Sequence, residues 1–275
     1  MTPPRPGTLH VVATPIGHRD DISARAIETL RRVKVIAAED TRHTRPLLQH
    51  LGVETPLVAL HDHNERTAVD GLVQRMLAGD DVALVSDAGT PLISDPGFRL
   101  VRAARTAGLR VSPVPGASAV IAALSVAGLP SDRFIFEGFL SAKTGARRAR
   151  LGELAGEART LIFYESSHRI VESLEDMREA FGAERHGVMA RELTKMFETV
   201  LDGPLASLVE RVAADPNQQK GEFVVMVAGR EESEDERLTE GLRVFNILKE
   251  ELPPARAAKL AAAITGASRK SLYGS

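Results

Sequence analysis

The sequence predicts an α/β fold, because short Val- and Ile-rich runs alternate with Ala-, Arg- and Leu-rich segments of helical period. In the first half these runs are apolar almost throughout, the pattern of strands buried on both faces of a parallel sheet. That half reads as a doubly wound domain. In the second half the alternation is less regular and reads as a mixed α/β sheet.

The expected first-half strands are residues 9–13, 33–38, 57–60, 82–85 and 111–114, separated by helices at 22–32, 44–51, 65–78 and 98–107. Asp21 and Thr41 stand where N-caps belong, and Gly79 and Gly108 where helices end. After an Ala-rich stretch at 117–127, strands are expected at 134–137, 160–164, 186–190 and 223–227, with helices at 169–181 and 204–214. Residues 198–201 add a further strand. PVPGAS at 113–118 breaks the pattern, so the expected domains are 1–116, 117–230 and a tail over 231–275.

Composition narrows the function. The 275 residues include no Cys, which excludes a disulfide scaffold, thiolate metal sites and a cysteine nucleophile. With 35 Lys and Arg against 37 Asp and Glu, the net charge of −2 excludes a uniformly basic coat. The N-terminal residues carry no apolar run of signal-peptide length, and no stretch reaches the roughly 18 apolar residues of a membrane span. A soluble, cytoplasmic protein is expected.

Charge is nevertheless uneven. SAKTGARRAR at 141–150 holds four basic residues and no acidic one, in a stretch read as a mobile loop. EESEDE at 231–236 reads as a solvated acidic linker. Residues 253–275 again hold four basic residues and no acidic one, in a helix, a Gly turn and a short second helix. Such a basic helical tail suits nucleic acid.

In a doubly wound sheet, ligands bind beyond the carboxyl ends of the strands. Those ends run into Thr14–Asp20, then Glu39–Arg42, His61–Asn64, Ser86–Pro91 and Pro113–Gly116. No G-x-G-x-x-G follows the first strand and no phosphate-loop motif occurs, so a pyrophosphate-anchored cofactor is disfavoured. Ser86–Pro91 offers small residues, exposed backbone and one carboxylate, which suit a ligand with hydroxyls and a cationic centre. S-adenosylmethionine has both.

Other chemistries fit less well. His61 and His63 alternate as two metal ligands would, but no third and fourth ligand follow at supporting spacing, and no metal is expected. Gly116–Val120 lacks the closing glycine of a nucleophile elbow. In the second half, Tyr164–Arg169, Arg191–Lys195 and Lys220–Glu222 flank strands, with Ser166 or Ser167 as a cap. There Glu165 can simply pair with Arg169, and Glu192 with Lys195.

The longer motifs carry a resemblance. VVATPIGHRDDISARAIETL at 11–30, AEDTR at 38–42 and SDAGTPLISDPG at 86–97 are similar to the RsmI family. These are bacterial 16S ribosomal RNA cytidine 2′-O-ribose methyltransferases of the tetrapyrrole-methylase superfamily. VPGASAV, FYESSHRI, ARELTKMFE and KGEFVVMVAG extend the likeness in order over residues 8–230. The tail is similar to that family's small helical domain, though shorter and Ala-rich. His18 stands where the family commonly has Asn.

The resemblance implies two α/β domains of the class III methyltransferase type, S-adenosylmethionine in the cleft between them, and a homodimer. It implies that Pro15 lines the cofactor site, that Ser86, Asp87 and Ala88 wrap the methionine or ribose, and that Ile93 touches the ligand. Ser118 and Ala119 would follow the domain switch, while Glu165 and Leu193 would close the adenosine side. The implied substrate is a decoding-centre cytidine of 16S ribosomal RNA in the 30S subunit.

For transfer to a ribose hydroxyl, a base aids removal of the proton as the bond forms. A carboxylate too near sulfur would favour the ground state, which makes Asp87 a binder. Asp40 and Glu39 are therefore the expected bases, with Arg42 and Lys220 orienting phosphate or oxygen. Lys143, Arg147, Arg148, Arg150 and the basic tail are the expected phosphate contacts. Two competitors share these features: a tetrapyrrole C-methyltransferase, and a non-catalytic protein that binds S-adenosylmethionine or a nucleotide.

Overall fold

The computed structural model describes residues 5–61, 65–231 and 234–273, the side chains of 65–67 and 273 apart. His63 of the suggested His pair lies outside them. The chain divides into two compact units, Met1–Ala228 and Gly229–Ser275.

In the first unit, β1 (Thr8–Val12), β2 (Val35–Ala38), β3 (Leu57–Ala59), β4 (Val82–Val85) and β5 (Arg110–Val114) form one sheet in the order β3-β2-β4-β1-β5. Every pairing in it is parallel. Helices α1 (Ala24–Arg32) and α2 (Thr41–His50) cover one face, where Ala26, Leu30 and Leu48 meet Val12, Ile36, Ala83 and Val85. Helices α3 (Glu65–Leu77) and α4 (Phe98–Thr106) cover the other, where Leu72, Met76, Leu100 and Ala104 meet Leu9, Val35, Val82 and Leu84. Successive strand residues thus feed opposite cores, which is why the strands read as unbroken apolar runs. The chain winds outward to β3, returns to insert β4, and adds β5 on the far edge. This reversal leaves a crevice at the strand ends around β4.

Helix α5 (Ala119–Val126) leads to a second sheet, β6 (Phe134–Phe139), β7 (Thr160–Ser166), β8 (His186–Arg191), β9 (Thr199–Pro204) and β10 (Glu222–Val227), ordered β6-β7-β10-β8-β9. Only β6 and β7 are parallel; the other pairs are antiparallel. On one face pack α6 (Thr144–Leu154), α7 (Ile170–Phe181) and α8 (Leu205–Ala214), around Phe163 and Val225. Helix α5 packs on the other with Val120, Ala123 and Leu124, against Ile162, Val188 and Met226.

Several local expectations are corrected. Ser23, not Asp21, caps α1, its hydroxyl accepting the Ala26 amide at 3.1 Å, because a 3-10 turn at Arg19–Asp21 delays the helix. Asp40, not Thr41, caps α2, accepting the Arg42 amide at 2.8 Å. Neither Ser166 nor Ser167 caps α7, which begins at Ile170. Residues 141–150 are not a loop: α6 occupies most of them. Arg147 is 1% exposed, its Nε donating to Asp176 at 2.6 Å, so it cannot reach a phosphate. Arg148 pairs with Asp176 and Glu179, and Arg150 with Glu137 and Glu153. Lys143 stays exposed.

The second unit holds α9 (Glu234–Leu248), α10 (Pro254–Thr265) and α11 (Arg269–Tyr273). Glu234, Asp235 and Glu236 form the first turn of α9, where carboxylates favour the positive helix end, rather than a linker. Ala257, Ala258 and Ala261 allow α10 close to α9, and Leu272 completes the small core. Gly266 ends α10 in the left-handed conformation, as the sequence suggests.

Candidate functional site

The exit of β1 meets the exit of β4. Thr14 and Gly89 exchange backbone hydrogen bonds of 2.9 and 3.0 Å, and the Thr14 hydroxyl donates to the Ser86 carbonyl at 3.2 Å. From there a cleft of about 450 Å³ opens toward the second sheet. The loop after β4 gives Ala88–Thr90 and Ile93–Asp95 to one wall, α5 gives Ser118 and Ala119, and β7, β8 and β10 with their outgoing loops give the other.

Two of its bounding loops are held in unusual backbone. Leu92 and Ser94 have φ of 75° and 68°, and Glu192 and Thr194 have 51° and 63°. None is glycine, so each position costs on the order of 1–3 kcal/mol and persists only where its surroundings fix it. On the second-sheet side the fixing groups are visible. Lys195 donates to Glu192 at 2.9 Å and Glu222 at 2.8 Å, while Glu198 accepts the Thr194 amide at 2.6 Å. Gly221, at φ 97°, must be glycine twice over, since a Cβ there would lie 2.5 Å from the Glu192 carboxylate.

The residues expected to touch a cofactor divide. Ala88, Ile93, Ser118, Ala119, Glu165 and Leu193 line the cleft; Pro15, Ser86 and Asp87 are not among its lining residues, though each adjoins one in the chain, directly or through a neighbour. The Glu165 carboxylate is internally engaged, accepting from the Ser166 amide, Arg169 and the Ser173 hydroxyl at 2.6–3.1 Å. It shapes the loop after β7 rather than offering a free carboxylate.

Asp40, Glu39, Arg42 and Lys220 are not among the lining residues. Asp40 is clamped by Arg42, whose Nε and Nη2 approach its carboxylate at 2.7–3.2 Å. Those hydrogen bonds hold its carboxyl well below the usual carboxylate range, which makes it a weak proton acceptor. Its backbone amide donates to Asp87 at 3.1 Å, and His43 Nδ1 donates to the same carboxylate at 2.9 Å, an arrangement that raises the His43 pKa. Lys220 is exposed, and its carbonyl accepts from Arg191.

Asp95 and Phe139 line the cleft without having been singled out in the sequence, and Tyr164, noted there only as part of the Tyr164–Arg169 stretch, joins them. Asp95 lies in SDPG at 94–97, past the Ser86–Pro91 strand end. Burial pushes its carboxyl up to about 6, the Ser86 hydroxyl pulls it back, and the Asp87 charge adds to the rise. Tyr164 and Phe139 form an aromatic wall with centroids 5.4 Å apart, Phe139 being 55% exposed. Burial, and then the Asp95 charge, push the Tyr164 phenol up to about 12.

Charge in the cleft is one-sided. Its lining includes the carboxylates of Asp95, Glu165 and Glu222 against one ammonium, Lys195, itself paired. Such a lining favours a ligand with a positive centre over a polyphosphate.

The chain matches the profile of the tetrapyrrole (corrin/porphyrin) methylases over residues 8–209 and belongs to that family of methyltransferases. Solved structures agree on the fold: cobalt precorrin-4 methyltransferase (TM-score 0.62, 17% identity) covers 80% of this chain and 94% of its own. A uroporphyrin-III-C-methyltransferase from Thermus thermophilus (TM-score 0.57, 20% identity) covers 81% and 94%. Within the family the chain belongs with the proteins named ribosomal RNA small subunit methyltransferase I. That of Xylella fastidiosa is 64% identical over 98% of both chains, and that of Pseudomonas aeruginosa 60% identical over 97% of this chain and 95% of its own. That of Escherichia coli O157:H7 is 52% identical over 97% and 93%. Residues 235–274 match the RsmI C-terminal helix-turn-helix domain.

Proposed function

We propose that this protein methylates the ribose 2′-hydroxyl of a decoding-centre cytidine in 16S ribosomal RNA, with S-adenosylmethionine as donor. The observation that carries the reading is the cleft: about 450 Å³, rich in small residues, acid-rich, with no free cation cluster among its described lining residues. Volume and charge fit a ligand with one sulfonium, one amino acid head and one adenosine. Bound there, S-adenosylmethionine supplies an electrophilic methyl group.

The chain's own residues bind and orient. Ile93, Leu193 and Phe139 offer apolar surface for a flat ring, and the backbone and hydroxyls around Ala88, Ser118 and Ala119 face the polar part. Pro15, Ser86 and Asp87 support the adjoining loops, Ser86 through its carbonyl to Thr14 and Asp87 through the Asp40 amide and His43. Asp40 and Glu39 with Arg42, and Lys220, belong to the rim. Arg42 is 88% exposed in its side chain and is placed to meet substrate phosphate rather than to take a proton.

The relatives' names supply the substrate class. In support, Arg256, Lys259, Arg269 and Lys270 are all exposed on the second unit and form no ion pair among the described residues. Such cations suit a phosphate backbone. Lys143 adds a further contact, whereas Arg148 and Arg150 act only by giving up carboxylate partners. The homodimer belongs to the same reading: Met196 and Phe197, 90% and 65% exposed, stand beside the edge strand β9, a surface a second copy would cover. No helix of the described residues is long and apolar enough to cross a membrane, consistent with the proposed cytoplasmic location.

Incubation with methyl-labelled S-adenosylmethionine and either 30S subunits or tetrapyrroles tests the reading. Label recovered as 2′-O-methylcytidine from 16S RNA is expected. Label in the pigment, on a base, or in neither substrate would overturn it.

A further inference from the structure

We propose that Asp95 is the catalytic residue that takes the proton from the acceptor hydroxyl, so that the loop over residues 92–97 belongs to the reaction machinery. The assignment rests on the cleft being the site of methyl transfer to a ribose hydroxyl.

Position and freedom single Asp95 out. Of the three lining carboxylates, Glu165 is taken by Arg169 and Ser173, and Glu222 by Lys195. Asp95 has no cation partner among the described residues. The neighbours that act on its carboxyl are the Ser86 hydroxyl and the charge of Asp87. The loop that carries it is tightly determined. Leu92 and Ser94 sit in left-handed backbone at φ 75° and 68°. Gly97 follows at φ 121°, where a Cβ would stand 2.7 Å from Leu84 Cδ2. Strain of this kind beside a cleft is kept where a side chain must be aimed.

The chemistry agrees with the place. A useful base has a pKa near the working pH, and a carboxyl at about 6 meets that where Asp40 does not. Tyr164, pushed to about 12, stays protonated at neutral pH and so cannot serve as the base. The other titratable groups near this wall are Asp87, whose charge reaches Asp95, the Glu165–Arg169 pair, the Lys195–Glu222 pair and the lining His168. In the step, the acceptor oxygen bonds the methyl carbon as the carbon–sulfur pair passes to sulfur. The hydroxyl proton moves to an Asp95 oxygen and then to water. Charge balances: the sulfonium and the carboxylate are both neutralised.

The test compares wild type with Asp95→Asn on 30S subunits, alongside calorimetric titration of S-adenosylmethionine. The variant is expected to bind S-adenosylmethionine within about twofold of wild type while single-turnover transfer falls about 100-fold or more. The wild-type rate should climb with pH through about 6 and then level, a limb absent from Asp95→Asn and partly restored in Asp95→Glu. A roughly tenfold weaker S-adenosylmethionine affinity with the saturated rate intact would make Asp95 a binding group and overturn the proposal. So would a pH limb that survives in Asp95→Asn but is lost in His168→Ala. A wild type that binds S-adenosylmethionine yet methylates no RNA would overturn the function reading, and this assignment with it.

Discussion

The backbone amide of His18 donates to the Thr194 hydroxyl at 3.1 Å, joining loops 176 residues apart in sequence. The same junction explains Gly17, where a Cβ would lie 2.5 Å from Lys195 Cγ and 2.9 Å from the Leu193 carbonyl. The lysine could yield; the carbonyl could not without moving the cleft wall. Gly17→Ala is therefore expected to lose about 1–3 kcal/mol of stability. It should also weaken S-adenosylmethionine binding, measured by denaturant midpoint and calorimetry.

Arg147 and Asp176 make the opposite kind of contact, buried and structural. Removing the carboxylate leaves a guanidinium, 1% exposed, with only Glu172 at 3.3 Å. Asp176→Ala should cost about 3–5 kcal/mol in denaturant unfolding. Arg148→Gln, with half its side chain in solvent, should cost under about 1 kcal/mol.

Asp95 links site and stability. Its folded carboxyl, at about 6, lies above the ordinary 3.8, so the folded state binds the extra proton. This makes the ionised carboxylate a penalty on folding that is complete above about pH 6, fades as pH falls, and is gone below about 3.8. Asp95→Asn should accordingly be more stable than wild type by about 1–2 kcal/mol at about pH 8, allowing for solvent screening, with the gain vanishing near about pH 4. Paired thermal melts at the two pH values check the sign.

The second unit is expected to supply salt-sensitive affinity. Replacing Arg256, Lys259, Arg269 and Lys270 by Gln should weaken RNA binding and flatten its dependence on salt. The slope should fall by about 0.7–0.9 for each phosphate that is no longer neutralised. Binding isotherms across a salt series measure this.

How much of the molecule was legible follows from how each signal arises. Strands such as Val82–Val85 were readable to the residue because burial on two faces forces an unbroken apolar run. The basic run of α6 misled because the carboxylates that neutralise it, Glu137 and Asp176, lie elsewhere in the chain. Asp40 was readable as a rim residue but not as a cap held by Arg42, a matter of side-chain geometry. Asp95 was hidden because its significance comes from a wall built by β7, whose Glu165 lies 70 residues later in the chain. Phe139 lies two residues past the expected strand 134–137 and carries no motif, so only the fold brings it, 55% exposed, to the cleft.

The central claim is that the cleft holds the methyl donor, and titration calorimetry of S-adenosylmethionine tests it most directly. Ala119 opens α5 and lines the cleft, so Ala119→Trp fills the space while leaving both sheets in place. Wild type should bind one equivalent, and the variant, shown folded by its unfolding midpoint, should bind at least about tenfold more weakly. Equal affinity in the two proteins, or no binding to wild type, would contradict the account.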